Sequence, residues 1–276
     1  MLTLDVVIPT GKNIVESNYS ICYTIRSILS QSLLPQKIIV VENVLNTGVR
    51  EVLPPLFGNY VDIVDGTKKS PNIAYARNIG SKLCKSDLIV FLDDDVVLGY
   101  HNYFARILEI MKSCDFCCGA TRLWTLPDWN QYLSLDYSMF HILQILKAKS
   151  YIPQSIERTS GCKNFSEYTY IGNFGAVRRQ VYDNIGGFDE EYEGWLYQDT
   201  DLMMRLCYSN YRFEVLSYTG IYCFHLSHPA DKQRYRAANK RRYDVKQLEL
   251  GIRFNISSFF GRFDNNDYNV ITDLQT

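Results

Sequence analysis

The sequence predicts an α/β protein with a mostly parallel central sheet flanked by helices. Three observations carry this. Short β-prone apolar runs alternate with segments of helical spacing from Leu4 onward, the pattern of repeated β-α-β units. The runs are nearly continuous in apolar residues, as strands buried on both faces are. One of them, Ile89–Leu92, leads straight into Asp93, Asp94 and Asp95, and Val96 and Val97 follow. Three acids cannot stay inside a buried strand, because unpaired buried charge is too costly. They are expected at the C-terminal end of the strand, where open α/β sheets bind ligands. A hard divalent cation would hold such mutually repelling carboxylates together. An acidic turn is the plainer alternative, and the triplet alone does not choose between them.

The elements follow in order. Leu4–Thr10 reads as the first strand, ended by Pro9. Ile21, Ile25, Ile28 and Leu29 predict a helix over 17–32, stopped by Pro35. Lys37–Asn43 and Val61–Asp65 read as strands two and three, and Pro71 opens a helix running through Ala74–Leu83. The Ile89–Val97 strand comes next, then a helix over 103–112 and a strand over 115–121. Residues 124–170 are less regular and rich in aromatics, with a helix expected near Ser138–Ala148. So long an excursion between sheet elements predicts a substrate-facing insertion or lid.

Beyond it, Leu202, Met203 and Leu206 mark a helix with an acidic first turn, in which Asp199 or Thr200 would serve as a simple N-cap. Phe213–Ser217 reads as a strand. His225 and His228 flank the end of the next apolar run, beside Pro229, and are placed either as structural residues or in one site. The 232–246 segment is basic, with Tyr235 and Tyr243 interleaved. A solvated helix face is the commoner meaning of such a run; an anionic membrane surface or phosphorylated acceptor is the sharper one. Asp264–Thr276 is polar and expected to fray.

Composition bounds the function. A chain of 276 residues, 46% apolar and 21% charged, is an ordinary folded protein of one large or two small domains. Its net charge of -1 gives no support for bulk nucleic-acid binding. Neither a signal peptide nor an apolar run of about 18–20 residues is present. With no secretion signal, the eight cysteines are expected as reduced thiols in the cytoplasm. Cys114-x-x-Cys117 invites a zinc reading, but the segment looks like a strand and has no second CxxC pair. The absence of GxGxxG and GxxxxGK[ST] disfavours a dinucleotide fingerprint or a P-loop.

Together the pieces from about residue 4 to 229 resemble the GT-A glycosyltransferases, most closely the large inverting glycosyltransferase family 2. Asp5–Thr10 resembles the opening strand of the family, Ala76–Gly80 its A-R-N-x-G helix, and Phe91–Asp95 its DxD motif. Ile185–Glu190 and Gln198–Leu206 resemble the paired G-G-F-D-E and E-D-x-D-L-x-x-R-L motifs. The order and spacing of these motifs are far more specific than any one of them.

The resemblance implies a domain over 1–229, divided into a nucleotide-binding half (1–98) and an acceptor-side half (99–229), with a basic helical extension and tail over 230–276. It implies a nucleoside-diphosphate sugar donor, UDP-linked by family habit, contacted by Pro9, Thr10, Glu42, Asp65, Arg77, Asp93 and Asp94. Asp95 and His225 would ligate a divalent metal, with Asp93 at the metal or the ribose and His228 reaching the diphosphate. A mixed Asp/His set favours Mn²⁺ over Mg²⁺. Asp199 falls at the position of the general base, with Asn173, Trp195 and Gln198 on the side of a glycan, lipid-linked or other hydroxyl acceptor. Gln198 departs from the usual Glu; one negative charge fewer beside Asp199 favours its ionised form relative to an acidic neighbour. A nucleotidyltransferase and a non-catalytic sugar-nucleotide binder are the competing functions. The first would need a Gly- and Lys/Arg-rich phosphate loop after strand one, for which Gly11-Lys12 is a poor substitute.

Overall fold

The computed structural model describes residues 2–118, 121–151, 174–228 and 234–249. In chain order its strands are β1 (Leu4–Thr10), β2 (Ile38–Glu42), β3 (Val61–Asp65), β4 (Leu88–Leu92), β5 (Val96–Leu98), β6 (Phe116–Cys118), β7 (Thr121–Thr125), β8 (Ser150–Tyr151), β9 (Phe174–Arg178), β10 (Phe213–Val215) and β11 (Tyr222–His225). The α-helices are α1 (Ser20–Leu29), α2 (Val49–Phe57), α3 (Ile73–Leu83), α4 (Tyr103–Ile110), α5 (Met139–Lys149), α6 (Arg179–Asn184), α7 (Gln198–Tyr208) and α8 (Arg236–Glu249).

The larger sheet has the order β10-β6-β9-β4-β1-β2-β3. β1 pairs in parallel with β2 and β4, β2 with β3, and β6 with β10, while β9 runs antiparallel to β4 and β6. The central strands β1, β2 and β4 are buried along their whole length, and mostly apolar, because helices cover both faces. Val6 and Ile8 turn to one side, against Ile21 and Ile25 of α1, Leu53 of α2 and Phe104 of α4. Val7, Val41 and Phe91 turn to the other, against Ala74 and Ala76 of α3 and Leu202 and Leu206 of α7. Fully burying one such side chain contributes about 1.5–3 kcal/mol before entropy is counted. Gly80 lets α3 approach this closely: a Cβ there would meet Val7 Cγ1 at 2.4 Å and Val41 Cγ2 at 3.0 Å.

Three sequence expectations change. The expected Ile89–Val97 strand is broken at the acids: β4 stops at Leu92, and Val96–Leu98 starts a different sheet as β5. The run 115–121 likewise divides between β6 and β7, which lie in separate sheets. Helix α2 has no counterpart in the sequence reading, and Pro54-Pro55 within it argues against one. It exists because Val49, Leu53 and Phe57, spaced i, i+4 and i+8, are buried while both prolines face solvent. Packing overrides propensity there.

The expected insertion is partly a second layer of core. The smaller sheet runs β5-β11-β7-β8. Trp129, Leu133, Ile142 and Leu146 pack with Val97 and Phe224 against it. Ser138 caps α5, its side chain accepting from the His141 amide at 3.2 Å. Among the described residues no helix is long and apolar enough to cross a membrane. The expected fraying of Asp264–Thr276 lies outside the described residues.

Candidate active site

The turn Asp93–Asp95 lies at the seam of the two sheets, where β4 of one passes into β5 of the other. β5 pairs antiparallel with β11 in the register Val96↔His225, which sets His225 beside the acids although 130 residues separate them in the chain. The Leu226 amide donates to the Asp95 carbonyl at 2.9 Å and fixes the crossing.

On one side of the turn Asp95 is almost fully buried. His228 Nε2 lies 2.9 Å from its Oδ2 and His225 Nε2 3.5 Å from its Oδ1. Lys12 Nζ is 2.7 Å from the same Oδ2 and 3.3 Å from Asp94 Oδ1. Thr10 Oγ1 donates to the other Asp94 oxygen at 2.6 Å. Burial pushes the Asp95 carboxyl up, but Lys12, His225 and His228 outweigh it and hold it well below the usual carboxylate range. Burial pulls Lys12 down, and Asp94 and Asp95 reverse that, leaving the ammonium above the usual lysine range.

Asp95, His225 and His228 offer one ligand atom each, all within 4.8 Å of one another. Asp95 Oδ1 is buried and accepts no hydrogen bond from the described residues. A buried carboxylate flanked by two imidazoles suits a divalent transition metal. Cys114 and Cys117 form no such group. Both are buried free thiols, and Cys114 Sγ donates to Ile110 O at 3.4 Å.

On the other side of the turn Asp93 stands apart from this group. Arg77 donates one guanidinium nitrogen to Asp93 Oδ1 at 3.0 Å and another to Asp199 Oδ1 at 2.9 Å. Arg77 has no solvent exposure and lies 5.1 Å from the centre of the Phe188 ring. Gln198 Nε2 donates to the remaining Asp199 oxygen at 3.3 Å. The helix Ile73–Leu83 thus spends its motif residues on different tasks. Arg77 joins two carboxylates, and Gly80 closes on the sheet. Asn78 pins the 186–190 turn, donating to Phe188 O and Glu190 Oε1 and accepting from the Phe188 amide and Tyr182 Oη.

Asp199 is not the cap of its helix. The N-cap residue is Tyr197, at φ 70°, and it makes no side-chain capping bond. Leu196 before it has φ 84°, so two consecutive non-glycine residues adopt the left-handed conformation next to Asp199. Asn239 of α8 reaches into this turn, its Nδ2 donating to the carbonyls of Glu193, Trp195 and Leu196 at 2.8–3.2 Å. The basic face expected to be solvated is partly turned inward. Arg242 and Lys246 pair with Asp189, and Lys246 also with Asp201.

The other expected residues lie along the C-terminal ends of the parallel strands. Pro9 and Thr10 end β1; Glu42 ends β2, accepting from Thr47 Oγ1 at 2.6 Å and pairing with Arg50. Asp65 ends β3 in solvent, where the Thr67 amide donates to its carboxylate. Trp195 packs edge-on against Tyr235, and Asn173 lies outside the described residues. Lys12 enters the sequence reading only as part of a poor phosphate loop, and Asn239 is not singled out. A lone base just past β1 was the signal for the first; nothing local marks the second.

The model of the family described as "Glycosyltransferase like family 2" matches residues 5–237. This chain belongs to that family. The likeness extends to solved structures of the GT-A fold. S. aureus TarS 1-349 in complex with UDP-GlcNAc is 16% identical, with 83% of this chain and 60% of that one covered and a TM-score of 0.54. Mannosyltransferase PcManGT from Pyrobaculum calidifontis, in complex with GDP-Man and Mn²⁺, is 13% identical over 99% of this chain and 69% of that one, with a TM-score of 0.54. GalNAc-T7 with UDP, GalNAc and Mn²⁺ is 14% identical over 85% and 46%, at 0.53. The family 2 chain spans less than two thirds of the TarS and GalNAc-T7 chains. No curated protein sequence matches it.

Proposed function

We propose that this family 2 chain is an inverting, metal-dependent glycosyltransferase. It would move a hexosyl or N-acetylhexosaminyl group from a nucleoside-diphosphate sugar to a hydroxyl of a glycan, lipid-linked or other acceptor. One observation carries the reading: the acid turn faces a metal-type donor set on one side and an Arg77-bridged carboxylate, Asp199, on the other. Sugar transfer needs those two functions, a neutralised diphosphate leaving group and a base for the nucleophile. UDP is the nucleotide we favour, in keeping with the UDP-GlcNAc and UDP complexes of two structural neighbours.

Asp95, His225 and His228 would hold the cation, and this N/O donor set favours Mn²⁺ over Mg²⁺. When bound, a divalent ion there supplies charge neutralisation to the departing diphosphate. Arg77 fixes Asp199 and keeps one of its oxygens occupied, so the proton of the acceptor hydroxyl passes to Oδ2, the oxygen that Gln198 approaches. A base on the far side of the acid turn from the metal-type group favours attack in line with the leaving group, which would invert the anomeric centre. The exposed cations Arg236 and Arg241 on α8 are what would support a peripheral contact with an anionic membrane at its cytoplasmic face.

Thermal-shift screening with UDP-, GDP- and dTDP-sugars, with and without Mn²⁺, tests the donor and metal together. A rise in melting temperature with a UDP-sugar that requires Mn²⁺ is expected. No shift with any nucleotide sugar sinks the reading. Proton NMR of the product anomer tests inversion.

A further inference from the structure

Lys12 does not fit the simplest picture of a metal site. Its ammonium lies closest to the very oxygen of Asp95 that His228 approaches, and it also touches Asp94. Among the described residues, the four carboxylates of Asp93, Asp94, Asp95 and Asp199 pair with two cations that keep their charge, Lys12 and Arg77. Arg77 is sealed in and faces the other side of the turn. Lys12 is about one-third exposed and hangs from the loop after β1 on a flexible four-carbon stem. A divalent ion and the ammonium cannot both rest on Asp95 Oδ2 without strong like-charge repulsion. A small cavity of about 60 Å³ opens beside them, lined by Lys12, Glu16, Ser17, Ser20, Asp95 and His228 among others. It gives the side chain room to leave the acids without crossing packed core.

From this geometry we infer that Lys12 is a resident counter-ion that a divalent metal must displace, and that the displaced ammonium then binds the donor diphosphate. The inference rests on the metal reading of Asp95, His225 and His228. Its consequence is coupling between two ligands. Metal alone binds weakly, because it must evict Lys12. With a diphosphate present the ammonium has a new anionic partner, so the eviction is offset. By linkage the nucleotide tightens metal and the metal tightens nucleotide by the same factor.

Titration of free Mn²⁺ by electron paramagnetic resonance, with and without saturating UDP, tests this without any turnover. Lys12→Met should bind Mn²⁺ alone about tenfold more tightly than the natural chain. In saturating UDP the two should agree within about threefold, so the coupling falls by about the same factor of ten. Lys12→Arg keeps the charge and should behave like the natural chain. Circular dichroism melts check that both variants fold. If Lys12→Met binds Mn²⁺ alone no more tightly, or if Lys12→Arg behaves as Lys12→Met does, the inference is overturned while the metal site stands. If the natural chain binds no Mn²⁺ even with UDP, the metal reading itself falls.

Discussion

Asp93 and Asp95 sit two residues apart on one turn and are held in opposite ways. Asp93 meets a buried guanidinium that also grips Asp199, from a helix packed on the large sheet. Asp95 meets two imidazoles and a partly exposed ammonium from the smaller sheet and two loops. The first arrangement is permanent, since arginine keeps its charge and its planar fork fixes both distances. The second is made of groups that trade partners readily. On the proposed function, rigid placement suits a base that must stay aimed, and exchangeable ligands suit an ion that arrives with its substrate.

The sharpest way to break this contrast is on the fixed side. Asp199→Asn is expected to lower kcat about 10³-fold or more while UDP binding persists. Ordinary turnover by that variant would refute the base. Arg77→Met leaves the buried Asp199 and the half-buried Asp93 without their shared partner, and about 3 kcal/mol of stability should go, read from urea denaturation. On the exchangeable side the effect is expected in ligand binding more than in folding. Asp95→Ala should abolish the Mn²⁺ dependence of UDP binding and slow transfer about 10²-fold, at a smaller loss of stability than Arg77→Met, because the partly exposed Lys12 can turn to water and the imidazoles can stay neutral. Loss of cooperative folding there would erase the distinction.

A third, milder ion cluster calibrates both. Burial raises the Asp189 carboxyl, but hydrogen bonds from Lys246, the Glu191 amide and Arg242 bring it down to about 2. Its folded value lies below the unfolded one of about 3.9, so its contribution is present above that pH and lost as pH falls toward 2. Asp189→Asn should cost about 1–2 kcal/mol at pH 7 and flatten the acid limb of the stability profile between about pH 4 and 2.

Strands β1, β2 and β4 and helix α3 were legible because burial on both faces writes itself into nearly every residue of a strand, and because Arg77, Asn78 and Gly80 form a compact motif; β3, half-exposed, was legible from its short β-branched run. Asp93–Asp95 and Asp199 stood out in the sequence in the same way, as candidates whose roles belong to the proposed function. The second sheet was not. Whether Val96 continues β4 or starts β5 depends on pairing with β11, where its partner His225 lies 129 positions away. Lys12 and Asn239 are ordinary residues locally, and only the fold gives them their neighbours. The inward turn of Arg242 and Lys246 is equally nonlocal, since a basic helix reads the same whether its charges meet water or Asp189 and Asp201.

Leu196 and Tyr197 carry a consequence for anyone improving this protein. Their left-handed backbone costs roughly 1 kcal/mol each where glycine would cost nothing, yet glycine adds a comparable entropy loss on folding. Leu196→Gly would therefore leave the melting temperature almost unchanged while loosening the turn that leads into Asp199, the proposed base. A screen ranked by heat resistance would pass over this position, and one ranked by turnover would single it out.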